Sequence, residues 1–207
     1  MIHTVRSHNN SKSFIADAAA SSLNKQILLR IKQEGDLTCI NVVRKEDQAK
    51  LLKEQFGQEY VLIEGSPTFK EDLKEAIAKV NPGVFFDCVG GGSPVVLPIF
   101  EALPFKSKMV IVANLSHQPV PIDTGHLMFT QKSIQGFTLF SWLLSVSHEE
   151  RQKAFKTVAE DLGSNNGSIF GTNFTKELPL SQWEDAIKTY AEVASKEFGK
   201  ILINCQP

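Results

Sequence analysis

The feature of this sequence that most constrains its fold is the alternation of short apolar runs with amphipathic helical patterns. The runs 38–44 (TCINVVR) and 84–91 (VFFDCVGG) are continuous and apolar, which is typical of strands buried on both faces. Between them, Phe69, Leu73 and Ile77 repeat at helical spacing. Strands separated by helices predict a parallel, doubly wound α/β sheet.

The same alternation continues along the rest of the chain. In the helix expected at 93–102, Pro94 fits the first turn and Pro98 is expected to kink the axis. The remaining patterns predict strands at 13–17, 60–63, 108–114 and 133–140, and helices at 148–162 and 183–194.

The predicted elements form one domain with extra strands at its C-terminal end. We expect an N-terminal arm over residues 1–12 and a Rossmann-type doubly wound domain over residues 13–205. Within it, short strands at 168–178 and 199–205 are expected to pair and to close one edge of the sheet. The hydrophobic run Lys200–Cys205 would otherwise leave an unpaired edge, which favours association with another chain.

Composition and residue spacing exclude several classes of function. The formal net charge of -1 provides no global field for nucleic acid or an anionic membrane. No apolar stretch approaches the roughly 20 residues of a membrane span. Cys39, Cys88 and Cys205 are far apart, and neither they nor the histidines have the spacing of metal ligands. We therefore expect no bound metal, no nucleic acid and no membrane span.

Topology alone locates the candidate ligand site. In open parallel sheets, ligands bind beyond the carboxyl ends of the strands, so the expected lining is 18–24, Arg44 with Lys45, 89–93 and 114–118. A basic residue after the second strand accepts the 2′-phosphate of NADPH, although Arg44 and Lys45 also fit a pair of solvated charges. The glycines within 89–93 either let backbone approach a ligand closely or form an ordinary strand-to-helix turn.

Several blocks of sequence occur here in the order that one known family shows. FDCVGGGSP (86–94), MVIVANLSHQPVPI (109–122) and IQGFTLFSWL (134–143) resemble the medium-chain dehydrogenase/reductase superfamily. Over about residues 13–205 the chain is similar to mitochondrial trans-2-enoyl-CoA reductases and to quinone oxidoreductases. The resemblance implies the cofactor domain of such an enzyme.

Two departures from the family's pattern bear on function. The resemblance implies a separate β-rich domain with a catalytic tyrosine, and we expect that domain to be missing, since neither Tyr60 nor Tyr190 matches the tyrosine's place. The family's glycine loop is replaced here by AAASSLN, with Ser22 and Asn24 where glycines are expected. Asn24 tolerates a left-handed conformation, and Ser21 or Ser22 can cap the following helix, so we expect the turn to survive without its ligand contact.

Two functions stay open on this reasoning. In the first, the chain is a non-catalytic accessory subunit that binds no cofactor, in a complex for which the resemblance implies a mitochondrial, matrix-side location. It contacts other subunits through the edge strand Gln135–Leu139, as the resemblance implies, and through the C-terminal strand Lys200–Cys205. In the second, it is the NADPH-binding part of an enoyl-CoA or quinone reductase whose catalytic domain comes from a partner chain. No catalytic residue is assigned. If NADPH is bound, its contacts are expected at Ser21, Ser22, Leu23, Asn24, Arg44, Lys45, Val89, Gly90, Gly91, Asn114 and Leu115.

Overall fold

Six of the predicted strands form one parallel sheet. In chain order they are β1 (Ser13–Ala16), β2 (Thr38–Val43), β3 (Tyr60–Ile63), β4 (Val84–Asp87), β5 (Lys108–Ile111) and β6 (Ser133–Gly136). They lie in the order β3-β2-β1-β4-β5-β6, and each neighbouring pair is parallel. Because the order reverses direction between β1 and β4, the sheet is doubly wound, and the predicted Rossmann-type fold is confirmed.

The computed structural model describes residues 1–172, 174–196 and 200–206, with the backbone alone described at 175 and 190–196.

Gly35 and Gly57 follow two of the helices with φ of 70° and 65°, so these glycines end the helices in the left-handed conformation. None of the helices in these ranges is long and apolar enough to cross a membrane. The helices are α1 (Ile2–Ser7), α2 (Ser22–Glu34), α3 (Glu46–Phe56), α4 (Phe69–Val80), α5 (Val96–Ala102), α6 (Thr124–Thr130), α7 (Leu139–Ser145), α8 (His148–Ser164) and α9 (Trp183–Lys196).

Several sequence-based expectations about where elements begin and end are wrong. Pro94 does not lie in the first turn of α5, because that helix begins at Val96. Pro98 does not kink a helix, because α5 begins at Val96 and Pro98 therefore lies in its first turn, where a missing N–H removes no helical hydrogen bond. The sixth strand does not reach Leu139. It ends at Gly136, because the Thr138 side chain accepts a hydrogen bond from Ser141 N and caps α7.

The C-terminal strands pair with each other. β7 (Phe174–Pro179) and β8 (Lys200–Asn204) are parallel and are joined through α9, so they form a small βαβ unit. The expected pairing is therefore present. The expectation that it would close an edge of the main sheet is wrong, because within the described ranges these two strands form a two-stranded sheet of their own.

The chain divides into two compact units. The first comprises Met1–Ala20 and Ile27–Val146, and the second comprises Ser21–Gln26 and Ser147–Pro207. The core of the first unit packs the main sheet against its helices. Ile15, Phe85 and Phe100 are each no more than 1% exposed in this core.

The N-terminal residues 1–12 belong to the first unit and contain a short helix, α1. Val5 on this helix is fully buried. Arg6 forms ion pairs with the carboxylates of Glu34 and Asp36, and its Nε donates to Asp36 Oδ2 at 2.9 Å. The buried Val5 and the ion-paired Arg6 therefore attach this helix to the first unit.

Candidate functional site

The turn after β1 keeps a left-handed residue although it contains no glycine. Ala18 has φ of 44°, and Ala19 N donates to the carbonyl of Val42 at 3.1 Å. The left-handed position expected at Asn24 is therefore wrong. Asn24 lies inside α2, because the turn is completed before the helix begins at Ser22. The left-handed residue of this turn is thus an alanine, which adopts that conformation less readily than glycine or asparagine.

Ser21 caps α2. The sequence left Ser21 and Ser22 as alternative caps, and the structure selects Ser21. Asn24 N donates to Ser21 Oγ at 3.3 Å, and Asn24 is 2% exposed. Ser22 and Leu23 form the first positions of the helix, and Leu23 is exposed. A side-chain oxygen of the chain itself therefore satisfies one helix N–H that a bound phosphate could otherwise meet.

Arg44 and Lys45 follow β2 at the carboxyl edge of the sheet, and both are exposed. Arg44 N donates to Gln48 Oε1 at 3.0 Å, and Gln48 is buried at the start of α3. The backbone of Arg44 is thus held in place while its guanidinium stays accessible to an anion.

The loops after β4 and β5 pack together. The prediction that Val89 to Gly91, Asn114 and Leu115 contact one cofactor requires this packing. Leu115 N donates to the carbonyl of Cys88 at 3.2 Å, and Ser116 N donates to the carbonyl of Val89 at 2.9 Å. The structure therefore brings these five predicted residues to one place. Their role in binding a cofactor stays a prediction.

The glycines at 90–92 accommodate the chain's own backbone. A Cβ at Gly91 would overlap the carbonyl oxygen of Pro119 and lie 2.5 Å from its carbonyl carbon. Gly91 N donates to the carbonyl of Gln118 at 3.1 Å, and Gly92 N donates to Ser116 Oγ at 3.0 Å. The close approach that these glycines allow is made by the segment 114–120.

Two buried carboxyl groups lie below these loops, and neither is among the predicted site residues. Asp87 is a hydrogen-bonded carboxylate at the end of β4, because its Oδ1 accepts hydrogen bonds from Val89 N at 3.0 Å and Gly90 N at 2.8 Å. Asp17 directly follows β1. The signal for it was present, since two strands that are neighbours in a doubly wound sheet both lead into aspartate.

Burial, the charge of Asp87 and a hydrogen bond between the two carboxyl groups raise the pKa of Asp17 to about 8. The same environment affects the adjacent thiol. Burial, followed by the charges of Asp17 and Asp87, raises the pKa of Cys88 to about 12. Cys88 is therefore an unreactive thiol.

The fold and these loops define a dinucleotide-type cofactor domain. A family described as zinc-binding dehydrogenase matches residues 32–160, and the chain belongs to this family, within the medium-chain dehydrogenase/reductase superfamily. The resemblance stated from the sequence is confirmed.

Individual relatives are consistent with this placement. The mitochondrial enoyl-[acyl-carrier-protein] reductase of Caenorhabditis elegans is 30% identical over 188 residues, which cover 88% of this chain and 50% of that protein. A Mesorhizobium loti structure, described as a candidate NADPH:quinone reductase, aligns with a TM-score of 0.82 at 30% identity over 99% of this chain and 56% of its own. A complex of Etr1p with NADP and crotonyl-CoA has the same fold, with a TM-score of 0.71 at 20% identity. The chain spans about half the length of the relatives it matches.

The zinc in the family's description does not fit the residues seen here. Across the described ranges, no group of three or more His, Cys, Asp or Glu side chains could hold a metal ion. Cys39 and Cys88 are buried, and burial raises the pKa of each thiol, which opposes the thiolate form that zinc requires.

Proposed function

We propose that this chain is the NADPH-binding part of a reductase of the enoyl-thioester or quinone type. The observation that carries the proposal is Arg44, an exposed guanidinium on a fixed backbone at the end of β2. In doubly wound sheets this position contacts the adenosine ribose, and a basic residue there favours a 2′-phosphate over a free hydroxyl. Lys45 adds a second exposed cation beside it.

The turn after β1 supports the same proposal. Ala18 holds a left-handed conformation, which supports a tight turn between β1 and α2 at the carboxyl edge of the sheet. NADPH, when bound, supplies the hydride. This chain's part is to bind the adenosine end through Arg44 and to position the other end against the loops after β4 and β5.

The relatives support the proposed substrate class and compartment. Curated relatives of this chain are named as mitochondrial enoyl-[acyl-carrier-protein] reductases, and one solved neighbour is described as a candidate NADPH:quinone reductase. We extend both features to this chain, namely reduction of an activated double bond or a quinone, and a mitochondrial location. The substrate-binding half would lie outside the portion of the relatives that this chain matches.

The test is a fluorescence titration of NADPH and NADH against the full chain and two variants. Loss of a charge-assisted contact to phosphate costs about 1.5–3 kcal/mol, so Arg44→Ala should weaken NADPH binding by about 10- to 100-fold. NADH binding should be unchanged, because NADH lacks the 2′-phosphate. Lys53→Ala, an exposed lysine in the last turn of α3, is the matched control. Saturable NADPH binding that is equal in Arg44→Ala and the wild type would contradict the assignment of Arg44.

A second candidate function, a protein-binding accessory subunit, is favoured by the apolar surface around β6. This strand is one of the two edge strands of the main sheet, and the helices before and after it carry exposed apolar side chains. Phe129 on α6 is 78% exposed and Phe140 on α7 is 70% exposed. An open strand edge with adjacent aromatic side chains favours pairing with another polypeptide.

Light scattering during gel filtration tests this second candidate. We expect the chain to assemble with itself or with added partner protein, and Phe140→Lys to weaken that assembly. The C-terminal strand β8, with Leu202 and Ile203 each 37% exposed, is the other proposed contact. A wild-type chain that stays monomeric at all concentrations and with every candidate partner would contradict this proposal. Failure to bind NADPH, by itself, would favour it over the first.

A further inference from the structure

Glu64 directly follows β3, at the same edge of the sheet as Arg44. Its backbone N–H donates to the carbonyl of Val43 at 2.8 Å, so the hydrogen bonding between β2 and β3 continues to this residue. In the strand order, β3 lies on the side of β2 that faces away from β1. Glu64 is therefore fixed one strand beyond the proposed contact of Arg44 with the 2′-phosphate.

The carboxylate of Glu64 is held by a residue from a more distant strand. Ser93 lies in the loop after β4 and is 8% exposed, and its Oγ donates to Glu64 Oε1 at 3.1 Å. The same Oγ accepts from Val95 N at 3.4 Å, which leaves its one hydrogen for the carboxylate. Because β1 and β2 lie between β4 and β3, the loops after β4 and β3 meet across the ends of these two strands.

The second carboxylate oxygen of Glu64 is available to a ligand. Among the residues that the structure describes, none donates a hydrogen bond to Glu64 Oε2. The side chain is half-buried, and the next residue, Gly65, is exposed. A Cβ at Gly65 would meet nothing within 4 Å, so the space beside the carboxylate is open. An ionised carboxylate only accepts hydrogen bonds, and this wall of the crevice therefore presents a fixed acceptor.

The strand order indicates which part of NADPH would reach this acceptor. In doubly wound sheets the pyrophosphate lies at the turn after the first strand, and the adenosine ribose lies at the end of the second. A nucleotide that runs from β1 to β2 continues toward β3, so its base is expected at the end of β3. The 6-amino group of adenine is a hydrogen-bond donor, which matches the free oxygen of Glu64.

We propose that Glu64 recognises the adenine of NADPH by accepting a hydrogen bond from its 6-amino group, and that Ser93 positions the carboxylate for this contact. This inference rests on the proposed function, since it concerns NADPH bound with its ribose at Arg44. Glu64 is thus a residue that determines specificity for the base, whereas Arg44 determines specificity for the phosphate.

The test is a fluorescence titration of the full chain with NADPH and with an analogue that carries purine in place of adenine. The analogue lacks only the 6-amino group, so the wild type should bind it about 10- to 100-fold more weakly than NADPH. In Glu64→Ala this preference should fall below about threefold, because the acceptor is gone. Glu54→Ala, which removes an exposed glutamate near the end of α3, is the matched control and should keep the wild-type preference.

Ser93→Ala tests the positioning role. Without the hydroxyl the carboxylate of Glu64 loses its printed partner, so the preference for adenine over purine should fall several-fold. The preference for NADPH over NADH should stay at its wild-type value, because Arg44 is untouched. Damage to the whole site would lower both preferences together, and that result would contradict the positioning role of Ser93.

The outcomes separate this proposal from the proposed function. If the wild type binds NADPH in an Arg44-dependent manner but binds the purine analogue equally well, the role of Glu64 is refuted and the proposed function stands. This comparison requires no variant, so it remains decisive even if the substituted chains fail to fold. A wild-type preference that persists in Glu64→Ala also refutes the role of Glu64. If the wild type binds neither nucleotide, the proposed function fails and this proposal fails with it.

Discussion

A methyl group added at Gly91 should separate the loops after β4 and β5. The Cβ of Gly91→Ala would lie 2.5 Å from the carbonyl carbon of Pro119, whereas ordinary contact begins at 3.4 Å. The carbonyl oxygen of Pro119 lies closer still, so the segment around Pro119 must retreat by more than about 0.9 Å. A displacement of that size lengthens the 3.1 Å bond from Gly91 N to the carbonyl of Gln118 beyond hydrogen-bond range.

The expected cost combines two effects. Overpacking against a fixed backbone costs about 1–3 kcal/mol. The lost hydrogen bond adds about 0.5–1.5 kcal/mol. We therefore expect Gly91→Ala to lower the stability of the main-sheet unit by about 2–4 kcal/mol, which corresponds to a decrease in Tm of about 5–15 °C.

Calorimetry of the wild type, Gly91→Ala and Gly65→Ala provides the measurement. Gly65 is the matched control, because a Cβ there meets nothing within 4 Å and its backbone has no positive φ. Its substitution should change stability by less than about 0.5 kcal/mol. If Gly91→Ala is as stable as Gly65→Ala, the segment 114–120 does not pack against Gly91 as closely as the structure indicates.

Two further substitutions each test one buried charged side chain and its hydrogen bonds. Asp161→Ala removes a carboxylate that accepts from Ser168 Oγ and from the backbone N–H groups of Ile169 and Phe170, so we expect a loss of about 3 kcal/mol and faster proteolysis at 164–171. Lys132→Met removes an ammonium that donates to two carbonyls at the C-terminal end of α5, each at 2.9 Å, and urea unfolding should show a loss of about 1–3 kcal/mol.

Most of the main sheet was predictable because its strands other than β6 (SIQG) are predominantly apolar runs between helical stripes. Such a run has no polar face, so a parallel sheet covered on both sides is the arrangement that buries it. The C-terminal pair was harder to place. β7 (FTKELP) and β8 (KILIN) carry ordinary strand patterns, and nothing in their residues distinguishes a strand that joins a sheet from one that forms its own.

The site was predictable in location but only partly in its contacts. Topology placed the loops after β1, β2, β4 and β5 at one edge, and the loops after β4 and β5 pack as expected. The sequence pointed to Asn24, and not to Ala18, as the left-handed residue, because asparagine adopts that conformation more readily than alanine. The helix begins at Ser22, however, so Asn24 is helical and the left-handed residue is Ala18. The partner of the glycines, segment 114–120, could not be read from residue types, since backbone packs on backbone there.

The division of the chain into two units has a consequence for unfolding. The second unit rests on a two-stranded sheet, and Phe174, Leu202 and Ile203 on its strands are exposed, whereas the first has a six-stranded sheet with a buried core. Two-stranded sheets are marginally stable by themselves. We therefore expect heat to melt the second unit first, in a transition of its own, so that no single Tm describes the chain. Gly91→Ala should then shift the upper transition, and Asp161→Ala the lower one.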